Sequence, residues 1–545
     1  MKEILRAAIV TLFATLVWGQ FANAQNAATS HKLRFKNLED FSKYVQSHHK
    51  APFDRDSVRL PNGGAAEIMK HMGQRTPEGL ALASTSSTHN VRINRDRDPW
   101  PKAEVAVGVD PVNGNVVVMT NDFRENYDHM FYHVSTNGGS VWTDDSMVGG
   151  NDPFSGFIPL TFQSDPGVAF DDKGHSYLST ITGNLIFDFN NLYENLDTQI
   201  IVAQGFNHGT YTNLIPTIVD TVPCNGNFDA DGTFVCPGTL DKPLITVDSV
   251  LGSPNNGTVY VYYTLFCNGV TNPDGSIGPC VDGNATVPAF TSAILEAHAA
   301  AGGLFSAPNL VSGALQNTQF SDIVIDSHGV AQAFFDDFTN FPYTTMYQST
   351  LSGGVWTVNP TPVATFLVSQ TGTGNWFFRL SGTAAPGCGI TGDTAHCAFS
   401  ANQIGAGPFE GSLSVYDAVV NTQTGASTVT RVNNDVFNGS KDHIFPWATT
   451  KADGSVYVGF YDDRDDPFLT KVKYWVAKST DGGATFPKQM AVSDTSFNPC
   501  VGFPFCGFFG DYTQIAAGPD GVVHAAWSDT RDGASMQVFG QAITW

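Results

Sequence analysis

The stretch STDGGATF at residues 479–486 has a near copy, STNGGSVW, at residues 135–142. Both place a Ser, a short polar residue, a Gly and an aromatic ring at the same offsets. The local physics is that of a reversal between two strands. Asp481 and Asn137, with the serines before them, can accept hydrogen bonds from turn amides. Gly483 and Gly139 can take a positive φ without a Cβ clash. Phe486 and Trp142 are left to pack beneath the turn. Worn copies stand at SGGVW (352–356) and GGLF (302–305). A turn device that recurs at wide intervals implies that the unit around it recurs.

That unit is visible in SDPGVAFDDKGHSYLS (164–179), WATTKADGSVYVGFYDD (447–463) and TQIAAGPDGVVHAAWSD (513–529). A short apolar strand runs into an Asp/Gly turn, and a second strand rich in Val, Tyr, Phe and Ala follows. Alternating apolar positions bounded by such turns predict strands. Seven units begin near residues 103, 164, 240, 316, 376, 441 and 509. Repeats that each make a four-stranded sheet are the sign of a β-propeller. The expected class is therefore all-β, a propeller of seven four-stranded blades, with six as the alternative because the fifth unit is poorly patterned. At roughly 63 residues per unit, loops must be inserted into the blades. The last unit holds only three strands, so a strand from within 80–100 is expected to complete it and close the ring.

Residues 135–142 and 479–486 resemble the Asp-box, Ser-x-Asp-x-Gly-x-Thr-Trp, of the sialidase superfamily. The resemblance implies a propeller and, as an activity, hydrolysis of exposed acidic glycans. GDYTQIAAGPDGVV (510–523) looks like the stretch around the sialidase nucleophile and points to Tyr512. A tyrosine is used there because an anionic nucleophile would be repelled by the substrate carboxylate. By the same resemblance Glu410, followed by Arg431, is the candidate to take the tyrosine proton, and Asp165 the candidate acid/base. Sialidases also clamp the substrate carboxylate with an arginine triad. The Phe-Arg-Ile-Pro box that supplies one of the three has only VRLP (58–61) as a relative, so Arg59 receives no role. That departure supports a second reading, a non-catalytic propeller that binds glycans or proteins on its channel face.

The arginines have a pattern of their own. NDFRE (121–125), YDDRDD (461–466) and SDTRDG (528–533) all read Asp-x-Arg-acid after the second strand of units one, six and seven. Arg124, Arg464 and Arg531 could together grip a carboxylate by bidentate hydrogen bonds. Alternatively each pairs with its flanking acid and staples a blade corner. In the fourth unit, FDDF (335–338) sets Phe338 where the Arg would stand.

Acids recur near the starts of inner strands, at Glu104, Asp165, Asp241, Asp442 and Asp511. A carboxylate ring there could bind Ca²⁺, with Asp241 and Asp511 as ligands, or raise the pKa of one member; otherwise these acids cap turns. No cofactor is required, and structural calcium is the one candidate. The loop NPCVGFPFCGFFGDY (498–512) could line a pocket with phenylalanines or seal the seam between the first and last units.

Composition bounds the rest. Net charge is −23, and residues 103–545 carry 13 Lys+Arg against 42 Asp+Glu, so nucleic acid is excluded as a partner of the body's general field. Lys2 and Arg6, an apolar run and Ala22-Asn23-Ala24 read as a signal peptide over 1–24. No later run is long enough to span a bilayer. Eight cysteines fall into local pairs: Cys224/Cys236, Cys267/Cys280, Cys388/Cys397 and Cys500/Cys506. An even count in an exported chain reads as disulfides, and the spacings are not those of CxxC zinc clusters. The expected location is secreted, extracellular or periplasmic, with a glycan or glycoconjugate as partner. Residues 25–100 form a basic, partly helical extension, a pro-segment or cap, with helices expected at 38–49 and 65–75; the propeller follows over 101–545.

Overall fold

The computed structural model describes residues 90–96, 99–124, 128–143, 162–186, 194–209, 215–223, 237–272, 274–368, 378, 380–437, 440–503, 506 and 508–545. The signal peptide, the two helices expected in the extension, and Cys224 and Cys236 lie outside these residues. Within them the chain is a seven-bladed β-propeller of four-stranded antiparallel blades.

The inner strands begin at Lys102, Phe162, Gly238, Thr318, Gly387, His443 and Ile515. Six of these lie within a few residues of the starts read from the sequence. The fifth begins eleven residues late, because the 3-10 turn Ser381–Ala384 precedes it. Each inner strand packs on the next around the ring, from Lys102–Val109 through to Ile515–Ala517 and back. Blade one shows three described strands, Lys102–Val109, Val116–Asp122 and His129–Ser135. Blade three carries two extra hairpins between its second and third strands, Thr258–Cys267 and Thr291–Ala300, clipped by the Cys267–Cys280 disulfide. Disulfides Cys388–Cys397 and Cys500–Cys506 are also formed, as the local pairing predicts.

The ring closes as expected. Val91–Arg92 pairs with Gln537–Ile543 as the fourth strand of blade seven, through Val91↔Gly540 and Arg92↔Phe539. The propeller therefore includes two residues from what the sequence assigned to the extension. Asn94 fixes the join: its Oδ1 accepts the Val538 N–H at 2.9 Å, and its Nδ2 donates to Gln537. The seam behind it is apolar, with Ile93, Val105, Val116, Val118, Trp142, Ala526 and Val538 packed together.

The repeated turn behaves as its chemistry dictates. Ser135 Oγ accepts the Gly139 N–H at 2.8 Å, and Ser479 Oγ accepts the Gly483 N–H at 2.9 Å. Asn137 and Asp481 accept the N–H four residues on, from Val141 and Thr485. Gly139 and Gly483 sit at φ of 84° and 81°. Trp142 and Phe486 are buried beneath.

One feature of the inner strands positions the site. Five of them carry a bulge, seen as a register shift against the second strand, at Glu104, Asp165, Lys242, Phe320 and Phe445. All five residues have φ between 51° and 57°. A left-handed residue in a strand re-aims its side chain. Repeated around the ring, the bulge brings Glu104, Asp165, Lys242 and Phe320 together.

Candidate functional site

The axis is filled by an ionic cluster. Lys242 Nζ lies 2.5 Å from Asp511 Oδ2, 3.7 Å from Glu104 Oε1 and 3.9 Å from Asp165 Oδ1. The rings of Phe320 and Tyr512 stand 5.6 and 5.7 Å from the ammonium. Blades one, two, three, four and seven thus meet at one cation. Blade five yields space: a Cβ on Gly382 would fall 2.5 Å from the Asp511 Cβ. Asn121 locks the carboxylates from the second strand of blade one, donating to Glu104 Oε2 at 2.6 Å and accepting the Asp165 N–H at 3.0 Å. Glu104 Oε1 also accepts the Asp511 N–H at 3.0 Å.

All of these groups are buried. Burial, reinforced by the neighbouring Asp165 carboxylate, holds the Glu104 carboxyl well above its usual range. Burial alone would depress the Lys242 ammonium; Asp165, Asp511 and Glu104 overcome it and raise the lysine pKa. The cluster is therefore one ammonium among three carboxyls, one of which is driven to keep its proton.

Tyr512, three residues before the inner strand of blade seven, stands beside the cluster. Its hydroxyl donates to the Pro166 carbonyl at 3.0 Å, and its ring packs against Trp447 at 6.3 Å between centroids. Burial, then Asp165 and Glu104, push its pKa well above that of a free phenol. Glu410 is placed elsewhere, in blade five, where it accepts from Ser414 at 2.6 Å and faces Arg431 at 3.5 Å. Asp241 accepts from Gln319 at 3.2 Å beside the cluster. Asp442 turns away into the seam between blades five and six, accepting the Leu413 N–H at 2.9 Å. The bulge residue of blade six is Phe445, whose ring packs with Phe378, Phe509 and Tyr461.

The three arginines occupy equivalent corners, each paired with the Asp two residues before it and also bound by a segment of the preceding blade. Arg124 meets Asp122 at 2.6 Å and Asp96 at 2.8 Å; Arg464 meets Asp462 at 2.5 Å; Arg531 meets Asp529 at 2.6 Å and Asp494 at 2.7 Å. Their guanidiniums lie over Phe131, Trp475 and Phe539, at 3.8, 4.3 and 3.9 Å from the ring centroids. In blade four the register corrects the sequence reading. Asp337 pairs with Thr318 as Asp122 pairs with Lys102, so Thr339, not Phe338, takes the arginine position. Thr339 keeps the corner hydrogen bond, its N–H donating to Asp337 at 3.0 Å.

The phenylalanine loop seals a seam. Phe503 packs edge-on to Phe123 of blade one at 5.2 Å and to Phe508 at 5.2 Å, and Phe509 packs on Tyr461 at 4.9 Å. Among the described residues, no group of three His, Cys, Asp or Glu is arranged to hold a metal ion. The Lys242 ammonium occupies the place that a cation among the axial carboxylates would take.

Sequence reasoning missed Lys242, Phe320, Asn121 and a second feature, on the ring face where inner strands begin. The connections between second and third strands all open on that face. Those of blades three to six expose Phe290 (65%), Phe341 (49%) with Tyr343 (40%), Phe409 (58%) and Phe468 (75%). Four successive blades thus present aromatic rings to solvent on one face of the ring, a crescent of separate rings. The signal in the sequence is an aromatic residue in each of these connections, unaccompanied by the alternation that marks a strand.

No family model matches the chain, and no curated protein matches it. Among solved structures it is similar to the Hadza microbial sialidase Hz136, at 14% identity and a TM-score of 0.39 over 70% of this chain and 65% of that one. The chain thus spans just under two thirds of that protein. It is similar to a Penicillium chrysogenum alpha-L-arabinanase complexed with arabinobiose, at 9% identity and a TM-score of 0.40 over 84% and 99%. It is also similar to a leech intramolecular trans-sialidase complexed with 2,7-anhydro-Neu5Ac, at 10% identity and a TM-score of 0.39 over 71% and 69%. Likenesses this distant carry no argument about this chain's chemistry. Among the described residues no helix is long and apolar enough to cross a membrane.

Proposed function

We propose that this chain is an exported glycan-binding propeller that engages its ligand at the channel mouth rather than a hydrolase. The observation that carries the reading is the aromatic crescent of Phe290, Phe341, Tyr343, Phe409 and Phe468. Exposed aromatic rings repeated along one face are the kind of apolar surface that marks interaction sites. Rings spaced over four blades suit an extended ligand with repeated apolar faces, which an oligosaccharide offers. The guanidiniums are engaged by their own acids, and the body is strongly acidic, so a neutral glycan is favoured over an acidic one. Three disulfides accord with export.

The sialidase-like hydrolase remains a second reading because Tyr512 and Asp165 do lie together, beside a carboxyl that keeps its proton. It would need Tyr512 to lose a proton that burial holds and to leave the Pro166 carbonyl. A glycan array with the purified chain, run beside a fluorogenic panel of acidic and neutral glycosides, separates the two. The binding reading expects retention of neutral oligosaccharides, lost at least tenfold in the triple variant Phe290→Ala, Phe409→Ala, Phe468→Ala. Turnover that vanishes in Tyr512→Phe would replace it with the hydrolase reading.

A further inference from the structure

The opposite end of the channel holds a cavity of about 510 Å³. Its walls come from the inner strands beyond the bulges: Val107, Val168, Leu244–Val247, Ile323–Ile325, Ile390 and Thr449 among them. The lining continues into the turns after those strands, at Ser249, Val250, Ser327 and Gly392, so the cavity opens on the face away from the aromatic crescent. Tyr262, Asp322, Trp447 and Gly167 lie at its inner end, beneath the axial cluster.

We propose that this cavity is a second, separate binding site, for an uncharged sugar of one or two rings. The volume is that of a small-molecule site, within the usual range of roughly 300–1,000 Å³. Each inner strand forms the edge of its sheet, pairing there with its own second strand. The other edge faces the channel; neighbouring blades take some of its groups, the Val107 N–H by Gln514 and the Ile390 C=O by Thr450, and the wall mixes polar groups such as Gln514, Thr449 and Thr450 with Val, Leu and Ile side chains. That mixture fits a ligand with ring faces that are apolar and edges that carry hydroxyls. Trp447 supplies an aromatic surface.

The fixed polar group at the inner end is Asp322. Its two oxygens are held by the Tyr262 hydroxyl at 2.6 Å and the Cys388 N–H at 2.7 Å. Burial, opposed by those hydrogen bonds, raises its carboxyl to about 7, so it can meet a sugar hydroxyl as donor or acceptor. Among the described residues no lysine or arginine lines the cavity, so no cationic side chain is there to pair with a carboxylate, sulfate or phosphate. Asp326, the other acid of the lining, is held in place by hydrogen bonds from the His328 and Val330 N–H groups and from Gln332 and Gln423.

The test is calorimetric titration of the whole chain with glucose, galactose, N-acetylglucosamine, arabinose and their disaccharides, with glucuronate and galacturonate as charged counterparts. The expected result is saturable binding of at least one neutral sugar and at least tenfold weaker binding of its uronate. Val250→Trp, at the half-buried cavity mouth, should weaken that binding at least tenfold while the melting temperature stays within a few degrees. The aromatic-crescent triple variant should leave it unchanged, which separates this site from the mouth. Binding by no neutral sugar, equal binding of the uronates, or full binding by a folded Val250→Trp would overturn the proposal.

Discussion

Replacing Lys242 with Met tests whether the axial cluster holds the ring together. The substitution keeps the length of the stem and removes the one positive charge that Asp511, Glu104 and Asp165 share. Removing one partner of a buried ion pair typically costs about 3–5 kcal/mol, because the remaining charge is left without compensation. Unfolding entropy near 60 °C is about 2.1 cal/mol/K per residue, so for roughly 450 folded residues a loss of that size lowers the melting temperature by about 3–5 °C. The pH dependence gives a sharper signature. In the wild type the lysine pKa is raised, so its contribution is complete below the ordinary value of 10.5 and lost only as pH climbs through the higher folded value. It is constant between pH 5 and 8. In the variant the carboxyls must hold protons to stay buried. A carboxyl whose folded pKa is raised costs stability as pH rises above its unfolded value, 4.5 for Glu104. Calorimetric melting should therefore show a larger deficit at pH 8 than at pH 5. An unchanged melting temperature, or a larger deficit at pH 5, would refute the reasoning.

Three further outcomes are expected. His443 is fully buried between Asp435 and Asp462, at 3.3 Å from each; burial would lower its pKa, but the two carboxylates raise it to about 10. Its contribution is complete below 6.5 and is lost as pH rises through about 10, so His443→Gln should destabilise by about 3–5 kcal/mol at pH 6 and flatten the alkaline fall seen in wild-type melts. Tyr512→Phe removes one buried hydrogen bond, to Pro166, and should cost about 1 kcal/mol, or about 1 °C in melting temperature, with glycan retention on an array unchanged. Asn94→Ala removes the acceptor of the Val538 N–H and one donor to Gln537 at the closing strand; hydrogen exchange should quicken across 537–543 while blade four is unaffected.

The ring was legible because its physics is local and repeated. Alternation, Asp/Gly turns and the Ser-x-Asp-x-Gly device all act within a few residues, so seven units and the missing strand could be read from the chain. The axial cluster was legible only by half. Glu104, Asp165 and Asp511 are legible as inner-strand acids, but in blade three it is Lys242, not the neighbouring Asp241, that reaches the axis, and in blade six the bulge residue is Phe445, not Asp442. A bulge inserts a residue and changes which of two adjacent side chains points inward, and period-two reasoning has no way to see that. Aligning Ser164-Asp165-Pro166, Asp241-Lys242-Pro243 and Ile444-Phe445-Pro446 on their prolines would have shown it. The arginines were placed correctly in the repeat, yet their direction depends on the corner turn: once the Asp accepts the Arg N–H, as Asp122, Asp462 and Asp529 do, the guanidinium folds back onto the same carboxylate. The crescent escaped notice because solvent exposure of a loop aromatic is a property of the assembled ring.

The account stands or falls on whether the channel mouth holds glycans without cleaving them. The direct measurement is to incubate the purified chain with the oligosaccharide it retains best on an array, then quantify bound, free and shortened sugar by mass spectrometry. The account predicts intact oligosaccharide throughout and retention that collapses in the Phe290→Ala, Phe409→Ala, Phe468→Ala variant. Shortened sugar that accumulates with wild type and disappears with Tyr512→Phe would contradict it.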